Sequence, residues 1–172
     1  MKYSAPDLRL KSINESGEIS GYASVFGIVD GQGDVVLSGA FKNAIADFHA
    51  GKKPKLLWQH DTHSPVGLIE EIFEDNHGLF IKGKLLLEIP KAREVYLLLK
   101  NGAIDGFSIG YRIKNNYFKD GKQYLTDVEL PEISIVTFPA CEEATVDEVK
   151  SIDDTLGKIR AISAKIRRKI NE

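Results

Sequence analysis

The chain contains one cysteine, Cys141, in 172 residues, which excludes an internal disulfide framework and suits a reducing compartment. No apolar run approaches the roughly 20 residues that a membrane-spanning helix requires. The opening segment MKYSAPDLRL lacks the apolar centre of a signal peptide. Neither sign of charge dominates: 23 basic side chains meet 25 acidic ones, so no global field favours nucleic acid. Internal repeats and low-complexity tracts are also missing. These absences point to a soluble, intracellular protein with neither nucleic acid nor membrane as partner. Its length suits one domain with a short appendage, and 42% hydrophobic residues are enough to fill one core.

What is present reads as mostly β with two helices. Residues 6–13 alternate in polarity, and 17–26 form a second strand candidate after the turn-like Asn14-Glu15-Ser16-Gly17. The glycine- and aspartate-rich segment 29–36 reads as a loop. A helix is expected next, with Ser38 as N-cap and Phe41, Ala44, Ile45 and Phe48 at helical spacing, stopping near Gly51. Residues 55–60 (KLLWQH) read as a short buried strand ending in a histidine. Segments 66–74 and 78–87 make a hairpin. Pro90, the run AREVYLLLK and Gly102 delimit a second helix. Strand 106–114 follows, then a hairpin at Asp120-Gly121 and an extended stretch to Phe138. Residues 141–154 are acidic and turn-rich. In 155–170, Leu156, Ile159, Ile162, Ile166 and Ile170 recur at helical intervals opposite a basic face, which describes an amphipathic helix. Periodicity supplies no strand order.

Ser108 lies in Gly106-Phe-Ser-Ile-Gly110, the G-x-S-x-G spacing of a nucleophile elbow. The same pattern describes a strand serine beside two bulge glycines, and here no helix follows it. A serine nucleophile needs a base within hydrogen-bond reach. With four histidines the choice is finite: His49 ends a helix, His77 sits in a turn, and His60 and His63 flank Asp61-Thr62 after an apolar strand. A rigid strand end could aim the ring of His60. Paired with His63 and Asp61 it also admits a metal-dependent hydrolase, although no third ligand stands out. The DGQGD loop lacks the full ligand pattern of a calcium site. Orienting the base calls for a carboxylate or a second histidine. Glu132 opens the β-prone run ISIVTF, whereas Glu129 is expected to face solvent. Cys141 has no activating neighbour in sequence, which weakens a cysteine-protease reading.

Four segments in order, GYASVFGIVDGQGDVVLSGAF (21–41), LLWQHDTHSPVG (56–67), NGAIDGFSIGY (101–111) and ELPEISIVTFPACEEA (129–144), resemble the phage prohead protease family of the HK97 type. Members of that family resemble herpesvirus assembly proteases. The resemblance implies an α+β, mainly β fold, a small β-barrel surrounded by helices, with a protease domain over 1–145 and a helical extension over 146–172. It implies a serine endopeptidase that cleaves scaffold and major capsid proteins inside an immature shell in the bacterial cytoplasm, without metal or organic cofactor. By the family pattern Ser108 is the nucleophile, His60 the base and Glu132 the third member, where herpesvirus relatives have a histidine. A glutamate can accept the base's second N–H equally well. Herpesvirus relatives form dimers, so the resemblance allows a homodimer or higher oligomer. Their oxyanion arginines have no clear counterpart here. Arg112 would alternate to the face of Ser108, and backbone N–H groups are the other option. A module of the same fold that has lost catalysis is the structural alternative. The 155–170 helix either packs on its own barrel or docks on scaffold or capsid protein.

Overall fold

The computed structural model describes residues 16–149. In chain order the elements are β1 (Glu18–Val25), β2 (Asp34–Val36), α1 (Lys42–His49), β3 (Lys55–Trp58), β4 (Asp61–Glu74), β5 (Gly78–Leu85), α2 (Pro90–Lys100), β6 (Gly106–Lys119), β7 (Lys122–Val136) and β8 (Val146–Val149). Among the described residues, all eight strands belong to one mixed sheet. Antiparallel pairing links β6 to β7, β3 to β4, β4 to β5, β5 to β1 and β1 to β8. Just before β8 the chain returns to the start of β6. There Phe107 N–H donates to Ala144 O at 2.8 Å and Val146 N–H to Asp105 O at 2.7 Å. The sheet therefore curls until its ends meet beside Ser108. This is the mainly β, barrel-like architecture with packed helices that the sequence led us to expect.

The strand β7 organises the site. Along nearly its whole length one edge pairs with β6, so β2 and β3 share the other edge, both parallel to it. From Ile133 to Val136 every residue of β7 is buried, as befits a strand with neighbours on both edges and covered faces. Pro131 is tolerated in this central strand for two reasons. It falls between the stretch paired with β2 and the stretch paired with β3. On the other edge, Gly110 pairs with Glu132 and Arg112 with Glu129, so Leu130 and Pro131 together oppose Tyr111 alone. A residue without an N–H fits such a bulge.

The core fills the inside of the curl. Ile19, Leu56, Ile69, Leu79, Ile81, Phe107 and Ile133 are each 2% exposed or less. The helix α1 contributes Ala44 and Phe48, and α2 contributes Ala92, Val95, Tyr96 and Leu99. Phe107 is fully buried next to Ser108, so truncating it to alanine would cost about 3–5 kcal/mol and loosen the strand that carries the hydroxyl.

Several boundaries differ from the sequence-based expectation. The helix α1 starts at Lys42, four residues after Ser38, because Gly39 holds φ +91° and the intervening residues form turns. Phe41 replaces Ser38 at the N-cap, and its N–H is satisfied by Glu74 Oε1 at 2.9 Å. Asp34–Val36, read as loop, is a strand, because it finds β7 as a partner. The strand β3 ends at Trp58, so His60 lies in a turn and not on the strand itself. Val146–Val149, placed in a helical extension, instead pairs with β1. The expected strand 6–13 and the amphipathic segment 155–170 lie outside the described residues.

Candidate active site

The backbone register builds the site before any side chain is considered. On the antiparallel β6–β7 pair, Ser108 stands opposite Ser134 and Gly110 opposite Glu132. Directly opposed residues share a face, as do residues two apart, so these four positions form a square on one side of the sheet. Glycine at position 110 follows from the neighbour. A Cβ there would lie 2.0 Å from Glu132 Oε1, so only glycine leaves room for the carboxylate.

Over this square hangs the β3–β4 turn. Trp58 pairs with Asp61, leaving Gln59 and His60 as a two-residue loop with φ 54° and 59°. Such turns normally carry Asn, Asp or Gly, because a left-handed conformation is costly for other residues, about 1–2 kcal/mol each. Contacts to β7 and the segment after it hold it in place. Gln59 N–H donates to Ile135 O at 3.0 Å, Gln59 Nε2 to Thr137 Oγ1 at 2.6 Å, and His60 N–H to Ser134 Oγ at 3.1 Å. Asp61 shapes the exit from the turn, accepting from Ser64 Oγ at 2.6 Å and from His63 N–H at 2.9 Å. These hydrogen bonds, that from Ser64 first, hold its carboxyl below the usual carboxylate range. Strain of this kind concentrates at functional sites.

The turn carries the His60 ring into the square. Its Nδ1 lies 2.6 Å from Glu132 Oε1 and its Nε2 3.0 Å from Ser108 Oγ. An ionised carboxylate only accepts, so in the neutral ring Nδ1 carries the proton and Nε2 presents its lone pair to the Ser108 hydroxyl. Glu132 is shielded, with a side chain 14% exposed, while His60 is 43% exposed and reachable from solvent. Ser108 is 6% exposed and lines an open cleft of about 490 Å³ together with Gln32, Asp34, Tyr111 and Phe138. In that cleft the Tyr111 hydroxyl donates to Asp34. Burial, reinforced by this bond and the charge of Asp34, raises the phenol's pKa well above that of free tyrosine.

The remaining candidates stand apart. His63 has a side chain 92% exposed, and its ring lies 3.3 Å from Asp61 Oδ1. Arg112 and Lys114 both pair with Glu129, at 2.8 and 2.7 Å, so the Arg112 guanidinium is engaged at the surface. The Cys141 thiol has its pKa raised by burial, which disfavours the thiolate a nucleophile needs. Two contributors are absent from the sequence reading: Gln59, which locks the turn, and Ser134, which is fully buried and touches both Glu132 and His60. The signal available for Ser134 is its two-residue spacing from Glu132 on a strand.

Comparison with known proteins gives a consistent picture. Residues 6–158 match the model of the caudovirus prohead serine protease family. The chain is 32% identical over 157 residues to the prohead protease of Enterobacteria phage HK97, covering 89% of this chain and 69% of that protein. It is 31% identical over 154 residues to the prohead protease of Escherichia phage T5, covering 86% and 72%. Among solved structures, the bacteriophage T4 capsid assembly protease shares the fold, with a TM-score of 0.53 at 12% identity, over 69% of this chain and 80% of that one.

Proposed function

The chain belongs to the caudovirus prohead serine protease family, and from that premise we propose that it cleaves capsid proteins through Ser108, His60 and Glu132. The observation that carries the assignment is the pair of His60 contacts: Nε2 at 3.0 Å from Ser108 Oγ and Nδ1 at 2.6 Å from Glu132 Oε1. In this reading Ser108 Oγ attacks the scissile carbonyl carbon as His60 Nε2 takes its proton. Glu132 holds the Nδ1–H and stabilises the imidazolium that forms. His60 then returns the proton to the leaving amine. In the second half it draws a proton from water, whose oxygen attacks the acyl carbon, and returns that proton to Ser108 Oγ as the ester bond breaks. Developing negative charge on the carbonyl oxygen needs N–H donors. Phe107 N–H points away from β7, toward Ala144, and strand alternation turns Ile109 N–H the same way. The amide following the nucleophile thus lies on the edge of β6 that faces away from β7 and is one donor in this mechanism.

The substrates in this reading are the major capsid protein and the scaffold protein, met inside the assembling prohead in the host cytoplasm. A protease acting on extended segments suits an open cleft beside Ser108. Co-expression with the major capsid protein tests the proposal. Wild type should shorten the capsid protein, whereas Ser108→Ala should leave it full-length, and a fluorophosphonate probe should label only the former. Processing by a folded Ser108→Ala variant would remove Ser108 from the mechanism.

A further inference from the structure

We propose that Ser134 is a positioning residue of the catalytic constellation, one hydroxyl that fixes both the carboxylate and the base. It accepts from the backbone N–H of His60 at 3.1 Å and donates to Glu132 Oε2 at 2.7 Å. A backbone N–H can only donate, so the single hydroxyl proton of Ser134 is committed to the carboxylate. Its direction is therefore fixed by chemistry. With Oε2 held by Ser134 and Oε1 facing His60 Nδ1, the Glu132 carboxylate cannot rotate without breaking one of two bonds. The same oxygen ties the second residue of the left-handed turn to β7, so the backbone of His60 and its carboxylate partner share one anchor.

The location suits this role. Ser134 is fully buried in β7, between Leu57 of β3 and Ser108 of β6, and its position is set by pairing on both edges. A hydroxyl so placed is a rigid reference point, because moving it means moving the centre of the sheet. Gln59 and Thr137 brace the turn independently, so losing the Ser134 hydroxyl should leave the loop in place while freeing the carboxylate and the ring to misalign.

This inference rests on the triad reading above, and the experiment separates the two failures. The purified full chain is assayed on a peptide spanning the cleavage site mapped in the co-expressed capsid protein, with wild type, Ser108→Ala, Ser134→Ala, Glu132→Gln and the last two combined. Ser134→Ala should lower kcat by about 10- to 100-fold, the loss expected for one buried hydrogen bond to a charged group, with KM within about twofold. In the Glu132→Gln background it should cost clearly less than alone, since the chain of contacts through the carboxylate is already broken. A folded Ser134→Ala with wild-type kcat overturns the role, as does a full multiplicative loss in the double variant. Activity persisting in Ser108→Ala overturns the triad reading itself. Should Ser134→Ala fail to fold, Ser134→Cys fills the position with a slightly larger group and a weaker donor, and a wild-type kcat there overturns the role equally.

Discussion

Neutralising Glu132 without changing its size tests how the site handles protons. In Glu132→Gln, one acceptor and one NH₂ replace two acceptors, while two donors, His60 Nδ1–H and the Ser134 hydroxyl, still point at that position. If the amide NH₂ faces His60, it forces the tautomer with the proton on Nε2, which then cannot accept from Ser108. If the amide oxygen faces His60, the Ser134 hydroxyl loses its acceptor and the imidazolium loses its compensating charge. The first arrangement corresponds to the roughly 10⁴-fold loss known for a triad carboxylate changed to its amide, and about 5.5 kcal/mol of transition-state stabilisation. The second retains a usable lone pair and should cost about 10²-fold. We therefore expect kcat to fall between about 10² and 10⁴-fold with little change in KM. Steady-state cleavage of the mapped peptide measures this, and the rate of fluorophosphonate labelling provides a second readout. Glu129→Gln is the control: Glu129 pairs with Arg112 and Lys114 at the surface, so the change should be nearly neutral. A loss below about tenfold in Glu132→Gln, or equal losses at the two sites, would refute the orienting role.

Gly110→Ala should displace the Glu132 carboxylate and depress kcat to a similar degree with modest thermal destabilisation, because the new Cβ would stand 2.0 Å from Oε1; unchanged kcat would show that the carboxylate has room to spare. Alkaline titration of tyrosine absorbance should show a phenol ionising well above the ordinary value near 10 that is absent in Tyr111→Phe. Because the folded pKa is raised, the contribution of Tyr111 to stability is complete below pH 10 and lost only as pH climbs toward that folded value. Ending the chain after Thr145 removes β8 from the edge of β1 and should lower Tm by several degrees, whereas ending it after Val149 keeps every described strand. If the shorter chain proves as stable, β8 is not part of the folded unit.

Local chemistry made a large part of this protein legible. Pro90 and Gly102 bracket α2 because one lacks an N–H that the first helical turn does not use and the other adopts φ +65° at the exit. The turn signal Asp120-Gly121 marked the hairpin of the long strands β6 and β7, and the motifs around Ser108, His60 and Glu132 named three side chains whose chemistry suits acyl transfer. Those properties belong to single residues and their neighbours. Other features depend on partners far away in the chain. Asp34–Val36 is a strand only because β7 lies beside it, and the start of α1 follows from the backbone of Gly39 and a carboxylate from β4. Pro131 sits in a central strand because a bulge and a gap between two partners coincide there. Gln59 and His60 adopt left-handed angles that their own preferences oppose, and contacts with β7 and Thr137 outweigh that cost. His60 reaches Ser108 across 48 residues of sequence and Glu132 across 72. Residue type determined which side chains could hold or move a proton, but only the pairing register of three strands decided that they meet, and that the hydroxyl of Ser134 lies beneath them.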